Sequence, residues 1–107
     1  MKTSKNVISL NREYLKPPRH LRAAAKRMWR RMIADYCIDD QAGAALLECA
    51  CTAYQRAEDA RKLVRREGLT ILDRFEQLKP HPACAIERDA RAQMVSAIRA
   101  LKLAPNE

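Results

Sequence analysis

The chain contains three stretches in which apolar residues recur at helical spacing. In the first, from about Arg19 to Tyr36, apolar positions three or four residues apart form one stripe. The stripe consists of Leu21, Ala25, Met28, Trp29, Met32, Ile33 and Tyr36. We expect Trp29 to anchor a core from this stripe. Basic residues occupy the opposite half, so the pattern predicts an amphipathic helix with one core face and one basic face.

The second stretch predicts a long helix that begins after Asp39-Asp40 and ends at Glu67. Acidic residues suit the positive end of a helix, and Gly68 suits the residue just past its end. A helix of about 28 residues is roughly 42 Å long. Its seam, with alternating spacings of four and three, is Leu46, Ala50, Ala53, Ala57, Ala60 and Val64. Small seam residues allow a partner helix to approach closely, and we predict that this seam forms an oligomer interface between copies of the chain.

The third stretch predicts a helix that opens at His81-Pro82 and ends before Pro105. Residues 69–80, which precede it, lack helical spacing and carry β-branched residues near their start, so they predict an extended excursion or a small hairpin. The predicted fold class is therefore all-α. It has three main helices, and the long central helix packs on the C-terminal helix, with the excursion between them.

The predicted domain organisation has two parts. Residues 1–18 are polar and end in Lys16-Pro17-Pro18, which cannot lie within a helix, so we expect a disordered basic tail. Residues 19–107 form a single helical domain. Within it, residues 19–36 are the basic amphipathic helix and residues 39–104 supply the oligomerisation helices.

The positive charge of the chain is concentrated at one end. The formal net charge is +8, and residues 1–36 hold ten basic and two acidic side chains, whereas the remainder is nearly neutral. Such a field attracts polyanions, nucleic acid first and an anionic membrane second, unless it only aids solubility. Arginine binds phosphate and guanine edges through two parallel hydrogen bonds. The candidate DNA-binding residues are Arg19, Arg22, Lys26, Arg27, Arg30 and Arg31, together with Lys16.

Several function classes are excluded by what the sequence lacks. Two glycines are too few for a phosphate-binding loop or a dinucleotide fingerprint, and no apolar run is long enough to span a membrane. The four cysteines contain no C-x-x-C pair and are expected to be reduced and packed as small apolar residues, as in an intracellular protein. His81 and Cys84 lack a second pair of metal ligands. We therefore expect no metal, no cofactor and no enzymatic activity.

Taken in order, several motifs resemble the small subunits of phage terminases, in particular the family common in cohesive-end tailed phages and prophages. The most characteristic motif is Lys79-Pro80-His81-Pro82-Ala83, at the entry to the last helix. The others are Pro17-Pro18 followed by Trp29, Asp39-Asp40 before residues 48–54, Glu67-Gly68-Leu69-Thr70, and residues 101–105. The resemblance covers about residues 17–105. The excursion differs from that of many relatives because residues 71–78 contain no glycine.

The resemblance implies a non-catalytic protein of the host cytoplasm that forms a ring and binds double-stranded viral DNA where packaging starts. It also implies delivery of that DNA to the terminase large subunit, which carries the ATPase and the nuclease. A ring would repeat the basic face, so avidity could supply the affinity. Two alternatives stay open. One is a small helical transcription regulator that uses the basic helix for recognition, and the other is a helical assembly or scaffold protein.

Overall fold

The computed structural model describes residues 12–103. Their elements are a 3-10 turn at Arg12–Leu15, helix α1 at Ala23–Tyr36, helix α2 at Gln41–Glu67, strand β1 at Thr70–Leu72, strand β2 at Leu78–Pro80 and helix α3 at Pro82–Leu101. The predicted fold class is confirmed. The chain is helical, α2 packs along α3, and a small antiparallel hairpin lies between them.

The α2–α3 pair is the largest contact between elements of the fold. Contacts between Glu67 and His81 at one level and between Glu58 and Arg91 at another show that the two helices run antiparallel. Their buried faces consist mainly of alanine, with no long side chains to hold the helices apart. On α2 the buried alanines of this pattern are Ala50, Ala53, Ala57 and Ala60, and on α3 they are Ala83, Ala90 and Ala97.

The larger core side chains lie where α1 packs on the first half of α2. Leu21, Trp29, Leu47 and Cys51 are the largest fully buried side chains. The prediction that Trp29 anchors the core is confirmed, because its side chain is only 1% exposed. Its indole Nε1 donates a hydrogen bond to the Leu15 carbonyl at 2.9 Å, so the one polar atom of the ring is satisfied.

Helix α1 begins at Ala23 and not at Arg19. The residues before it have other hydrogen-bond partners, which come from α2. The Gln55 side chain accepts from the Arg22 backbone N–H at 2.6 Å and donates to the His20 carbonyl at 3.1 Å. Arg22 is extended, and the N–H of Leu21 closes a turn onto the Pro18 carbonyl. These tertiary contacts hold residues 19–22 in a turn, although their apolar spacing continues the helical stripe.

The described part of the predicted tail, residues 12–18, makes defined hydrogen bonds with the rest of the chain. The Tyr14 hydroxyl donates to the Asp39 carbonyl at 3.1 Å, and the Leu15 carbonyl accepts from Trp29. These contacts hold the segment against α1 and the start of α2. Residues 1–11 of the predicted tail lie outside the described part of the chain.

Both ends of α2 match the prediction. Asp40 is the N-cap, and its carboxylate accepts from the Gly43 N–H at 3.3 Å. A β-carbon at Gly43 would lie 2.5 Å from that carboxylate oxygen, so the cap leaves room only for glycine. At the other end Gly68 adopts φ +97°, and its N–H donates to the Val64 carbonyl.

The excursion is a hairpin in which Leu72 pairs with Leu78 and Thr70 with Pro80. Its five-residue loop closes without glycine. The Asp73 carboxylate accepts from the N–H groups of Phe75 and Gln77 at 2.8 and 3.0 Å. Glu76 takes the positive φ of 60° that glycine often provides in such loops.

Candidate nucleic-acid interface

Helix α1 separates its core face from its basic face as the sequence predicts. Leu21, Ala25 and Trp29 face the core and are each 1% exposed. Arg27, Arg30 and Arg31 are exposed, and Lys26 is half-buried. Packing of the apolar stripe on α2 therefore leaves the charged heads of the basic side chains in water, where they are available to an anion.

Apart from Arg22, the basic residues of this face form no ion pair with the described part of the chain. Within residues 12–103, no ion pair is formed by five basic residues: Arg19, Lys26, Arg27, Arg30 and Arg31. The helix also has no acidic residue in its first turn. The positive charge is therefore uncompensated locally, which is the electrostatic signature of a polyanion-binding surface.

Arg22 does not belong to this free set. Its guanidinium forms an ion pair with the Asp59 carboxylate, and its backbone N–H is bonded to Gln55. Both partners lie on α2. Arg22 therefore connects the start of α1 to α2, and we expect it to position the basic face more than to contact DNA.

Lys16 and Arg19 lie on the segment that precedes α1. The Lys16 ammonium lies 3.1 Å from the Glu13 carboxylate, but both side chains are highly exposed, so the pair holds Lys16 weakly. A cleft of about 590 Å³ between this segment and α2 is lined by Lys16 and Arg19 and also by Glu13 and Glu48. Its mixed charges argue against an anion pocket there. Lys16 and Arg19 can contact phosphate only from the outer surface.

His20 is exposed but hydrogen-bonded to α2. Its Nε2 lies 2.7 Å from the Thr52 hydroxyl. Its backbone carbonyl accepts from Gln55, so the residue helps to dock the turn before α1.

Most charges of the α2–α3 pair compensate one another. Arg91 lies 2.8 Å from Glu58 and 3.2 Å from Glu87, and Arg61 lies 3.1 Å from Glu58. Hydrogen bonds from Arg91 first and Arg61 second hold the pKa of Glu58 below its usual range. Glu58 in turn raises the pKa of Arg91. This cluster of ion pairs joins the two helices.

The predicted oligomer seam of α2 faces α3 of the same chain. Four of its members are buried within the single chain and two, Leu46 and Val64, are half-buried. The buried members are Ala50, Ala53, Ala57 and Ala60. The apolar surface that motivated the interface prediction is therefore already covered. A contact between copies through these alanines would first have to displace α3.

The cysteines and His81 only partly follow the prediction. Cys51 is buried, and burial raises its pKa to about 11, but Cys37 and Cys49 are exposed. From the sequence, His81 and Cys84 were considered as a pair of metal ligands. Both ring nitrogens of His81 are engaged in hydrogen bonds within the protein, one with the Ala83 N–H and one with the Glu67 carboxylate. Residues 12–103 bring no three potential ligands together in a metal-binding group. No helix in the same range is long and apolar enough to cross a membrane.

Two features go beyond what the sequence predicted. The sequence predicted that His81-Pro82 opens α3, but it did not predict that the buried His81 ring also contacts Glu67 at the end of α2. The hairpin exposes the large apolar side chains of Leu72, Phe75 and Leu78. The signal for these was the density of large apolar residues in a segment without helical spacing.

Comparison with protein families matches residues 25–107 to the family described as phage terminase, small subunit. The match covers most of α1, all of α2, the hairpin and α3, so it includes Arg27, Arg30 and Arg31. Lys16, Arg19 and Arg22 precede it. Comparisons with curated proteins and with solved structures give no match. The resemblance noted from the motifs is thus confirmed over the greater part of the chain.

Proposed function

The chain belongs to the phage terminase small-subunit family, and we propose that it serves phage DNA packaging by binding double-stranded viral DNA through the basic face of α1. The observation that carries this proposal is that Arg27, Arg30 and Arg31 are exposed and unpaired within residues 12–103, on a helix whose opposite face is in the core. Arginine donates two parallel hydrogen bonds to a phosphate group. Binding would need no rearrangement of the core.

The surroundings of α1 support a rigid presentation of these arginines. Trp29 anchors the middle of the helix, and the Gln55 side chain holds the preceding turn on α2 through the Arg22 N–H and the His20 carbonyl. A pre-ordered basic face loses less conformational entropy on binding than a flexible one. Contacts to phosphate would position the protein on DNA without specifying a sequence.

We further propose that copies of the chain form a ring in the host cytoplasm and deliver DNA to the terminase large subunit. The large subunit would supply the ATPase and nuclease activities, and this chain would have no chemistry of its own. One basic face makes few phosphate contacts, and a ring multiplies them, so avidity supplies affinity. Both sequence-level alternatives lose support. The four-residue connection 37–40 would suit a transcription regulator, but the family match favours packaging.

The test is the salt dependence of duplex binding by a variant carrying Arg27→Ala, Arg30→Ala and Arg31→Ala. Each lost phosphate contact lowers the slope of log K against log salt by about 0.9, so the triple variant should lose up to about 2.7 per bound subunit. Binding should weaken on duplexes of any sequence. Thermal stability should change little because the three side chains are exposed.

A charge-matched control separates this site from the overall charge of the protein. Arg56, Arg65 and Arg99 are also exposed and make no ion pair with the described residues, but they lie on α2 and α3. Their combined replacement by alanine removes the same charge and should leave the slope nearly unchanged. Equal losses in the two triple variants would show that binding follows net charge and not α1. An unaltered slope in the α1 variant would remove α1 from the DNA site.

A further inference from the structure

The hairpin between α2 and α3 presents an uncovered apolar surface. Among residues 12–103, six large hydrophobic side chains are exposed, and four of them lie in this short segment at 63–72% exposure. These four are Leu69, Leu72, Phe75 and Leu78. Leu72 and Leu78 are partners in the strand register, so they share one face next to the loop that carries Phe75. Leu72, Phe75 and Leu78 therefore form an exposed apolar patch at the tip of the hairpin, and such patches often mark interaction sites.

The hairpin is braced at both ends, so it presents these side chains in a defined position. At its base the His81 N–H donates to the Leu69 carbonyl at 2.7 Å, and the His81 ring contacts Glu67 at the end of α2. At its tip Asp73 accepts two backbone N–H groups, and the Arg74 guanidinium lies 4.9 Å from the centre of the Phe75 ring. A two-stranded hairpin of this length is marginally stable in water without a cover.

A hollow at the opposite end of the α2–α3 pair offers a matching surface. It has a volume of about 390 Å³ and lies where α2 begins and α3 ends. Its larger apolar lining residues are Tyr36, Ile38, Leu46, Leu101 and Leu103. Because α2 and α3 are antiparallel, the hairpin and the hollow lie at opposite ends of one rod. A single chain therefore cannot insert its own hairpin into its own hollow.

Charge favours a second copy in this contact over DNA. The loop and β2 carry Asp73 and Glu76 against Arg74 and Lys79, so the hairpin has no net positive charge to attract phosphate. Glu76 is exposed at the tip and makes no ion pair with described residues. Lys102, which lines the hollow, is likewise exposed and lacks an acidic partner in the described range. Asp40 also lines the hollow, but its carboxylate already accepts from the Gly43 N–H, so the tip and the hollow contribute one pair of opposite, unpaired charges, Glu76 and Lys102, beside apolar side chains.

We propose that the hairpin of one copy inserts Leu72, Phe75 and Leu78 into the hollow of the next copy and places Glu76 beside Lys102. This inference rests on the oligomeric part of the proposed function and specifies its contact. The contact is head to tail, and repetition closes a ring if the rotation between copies allows it. The hairpin patch is smaller than the roughly 800 Å² per partner of a stable interface, so a single contact is weak and is expected to form at high protein concentration.

The test uses two variants of the full chain that each disable one surface. Leu72→Thr, Phe75→Ser and Leu78→Thr together make the hairpin polar, and the two threonines are β-branched residues that favour strands. Ala100→Arg places a long side chain at the mouth of the hollow, because Ala100 is exposed and lines it. Light scattering after size exclusion should give wild type as an oligomer. Each variant alone should elute near the 12.3 kDa of one chain, with association weakened about tenfold or more per lost side chain.

An equimolar mixture of the two variants distinguishes a head-to-tail contact from others. The intact hairpin of one variant can enter the intact hollow of the other, so the mixture should form a dimer that grows no further. Val95→Thr, at an exposed apolar position outside both surfaces, should assemble like wild type. Circular dichroism and melting curves confirm that each variant is folded.

The outcomes separate this contact from the rest of the proposed function. A folded hairpin variant or Ala100→Arg variant that assembles like wild type overturns the contact and leaves DNA binding and oligomerisation standing. A mixture that stays monomeric also overturns the contact. If wild type itself is monomeric at high concentration, the oligomeric part of the proposed function is wrong together with this contact, and the α1 DNA site is judged by its own salt-dependence test.

Discussion

Replacing His81 tests whether its ring is what joins α3, the hairpin and α2. The side chain is 6% exposed, and its Nδ1 accepts from the Ala83 N–H at 3.0 Å. Because Nδ1 accepts, the proton of the neutral ring is on Nε2, which donates to the Glu67 carboxylate at 2.7 Å. His81 is thus the N-cap of α3 and a bridge to the last residue of α2.

Two substitutions separate these contacts. His81→Asn places an amide oxygen near the position of Nδ1, so it keeps the cap but cannot reach Glu67. His81→Ala loses both side-chain contacts. The cap is worth about 1 kcal/mol, within a range of about 0.5–2 kcal/mol. For a domain of this size, about 1 kcal/mol corresponds to a melting-temperature difference of about 4–8 °C, so the Asn variant should melt that much above the Ala variant.

Thermal and urea denaturation followed by circular dichroism measure this difference. Hydrogen exchange of the His81 amide, which is bonded to Leu69, reports on the hairpin base and should be faster in His81→Ala than in wild type. Glu67→Gln is the control, because it keeps an acceptor for Nε2 and should preserve the protection of that amide. Equal stabilities of the Asn and Ala variants would show that the ring contributes no capping energy and would refute this reasoning.

Two further predictions concern Glu58 and Cys51. Arg91 and Arg61 lower the pKa of folded Glu58, so its stabilising contribution is complete above the unfolded pKa and is lost as the pH falls through the folded value. As the pH is lowered, the free energy of unfolding of Glu58→Gln should therefore fall less than that of wild type. If the two proteins lose stability equally over this pH range, the assigned ion pairs are wrong. Cys51 is buried, and burial raises the pKa of its thiol to about 11, so both reagent access and the thiolate fraction are low and alkylation should be at least about tenfold slower than at exposed Cys37. Denaturant should equalise the two rates, and similar rates in the native protein would show that Cys51 is accessible.

Local patterns in the sequence were sufficient for much of the fold. Periodicity identified three helices, and capping residues placed their boundaries at Asp40, Gly68 and His81-Pro82, all of which the structure confirms. These signals work because helix ends are decided by nearby hydrogen-bond donors and acceptors and by the conformational freedom of single residues. The core role of Trp29 and the family also followed from residues read in order.

Contacts between distant residues decided the rest. Helix α1 begins at Ala23 because Gln55, 33 positions beyond Arg22, binds the backbone of the preceding turn. The segment 12–18 is held against α1 and α2 because Trp29 and Tyr14 find partners across the fold. Periodicity shows that the α2 seam is apolar, but it cannot show which surface covers it. In the tertiary structure α3 covers the seam, because alanine faces allow two helices of one chain to pack closely. The short hairpin has no such neighbour within the described residues, so its apolar side chains are left in water.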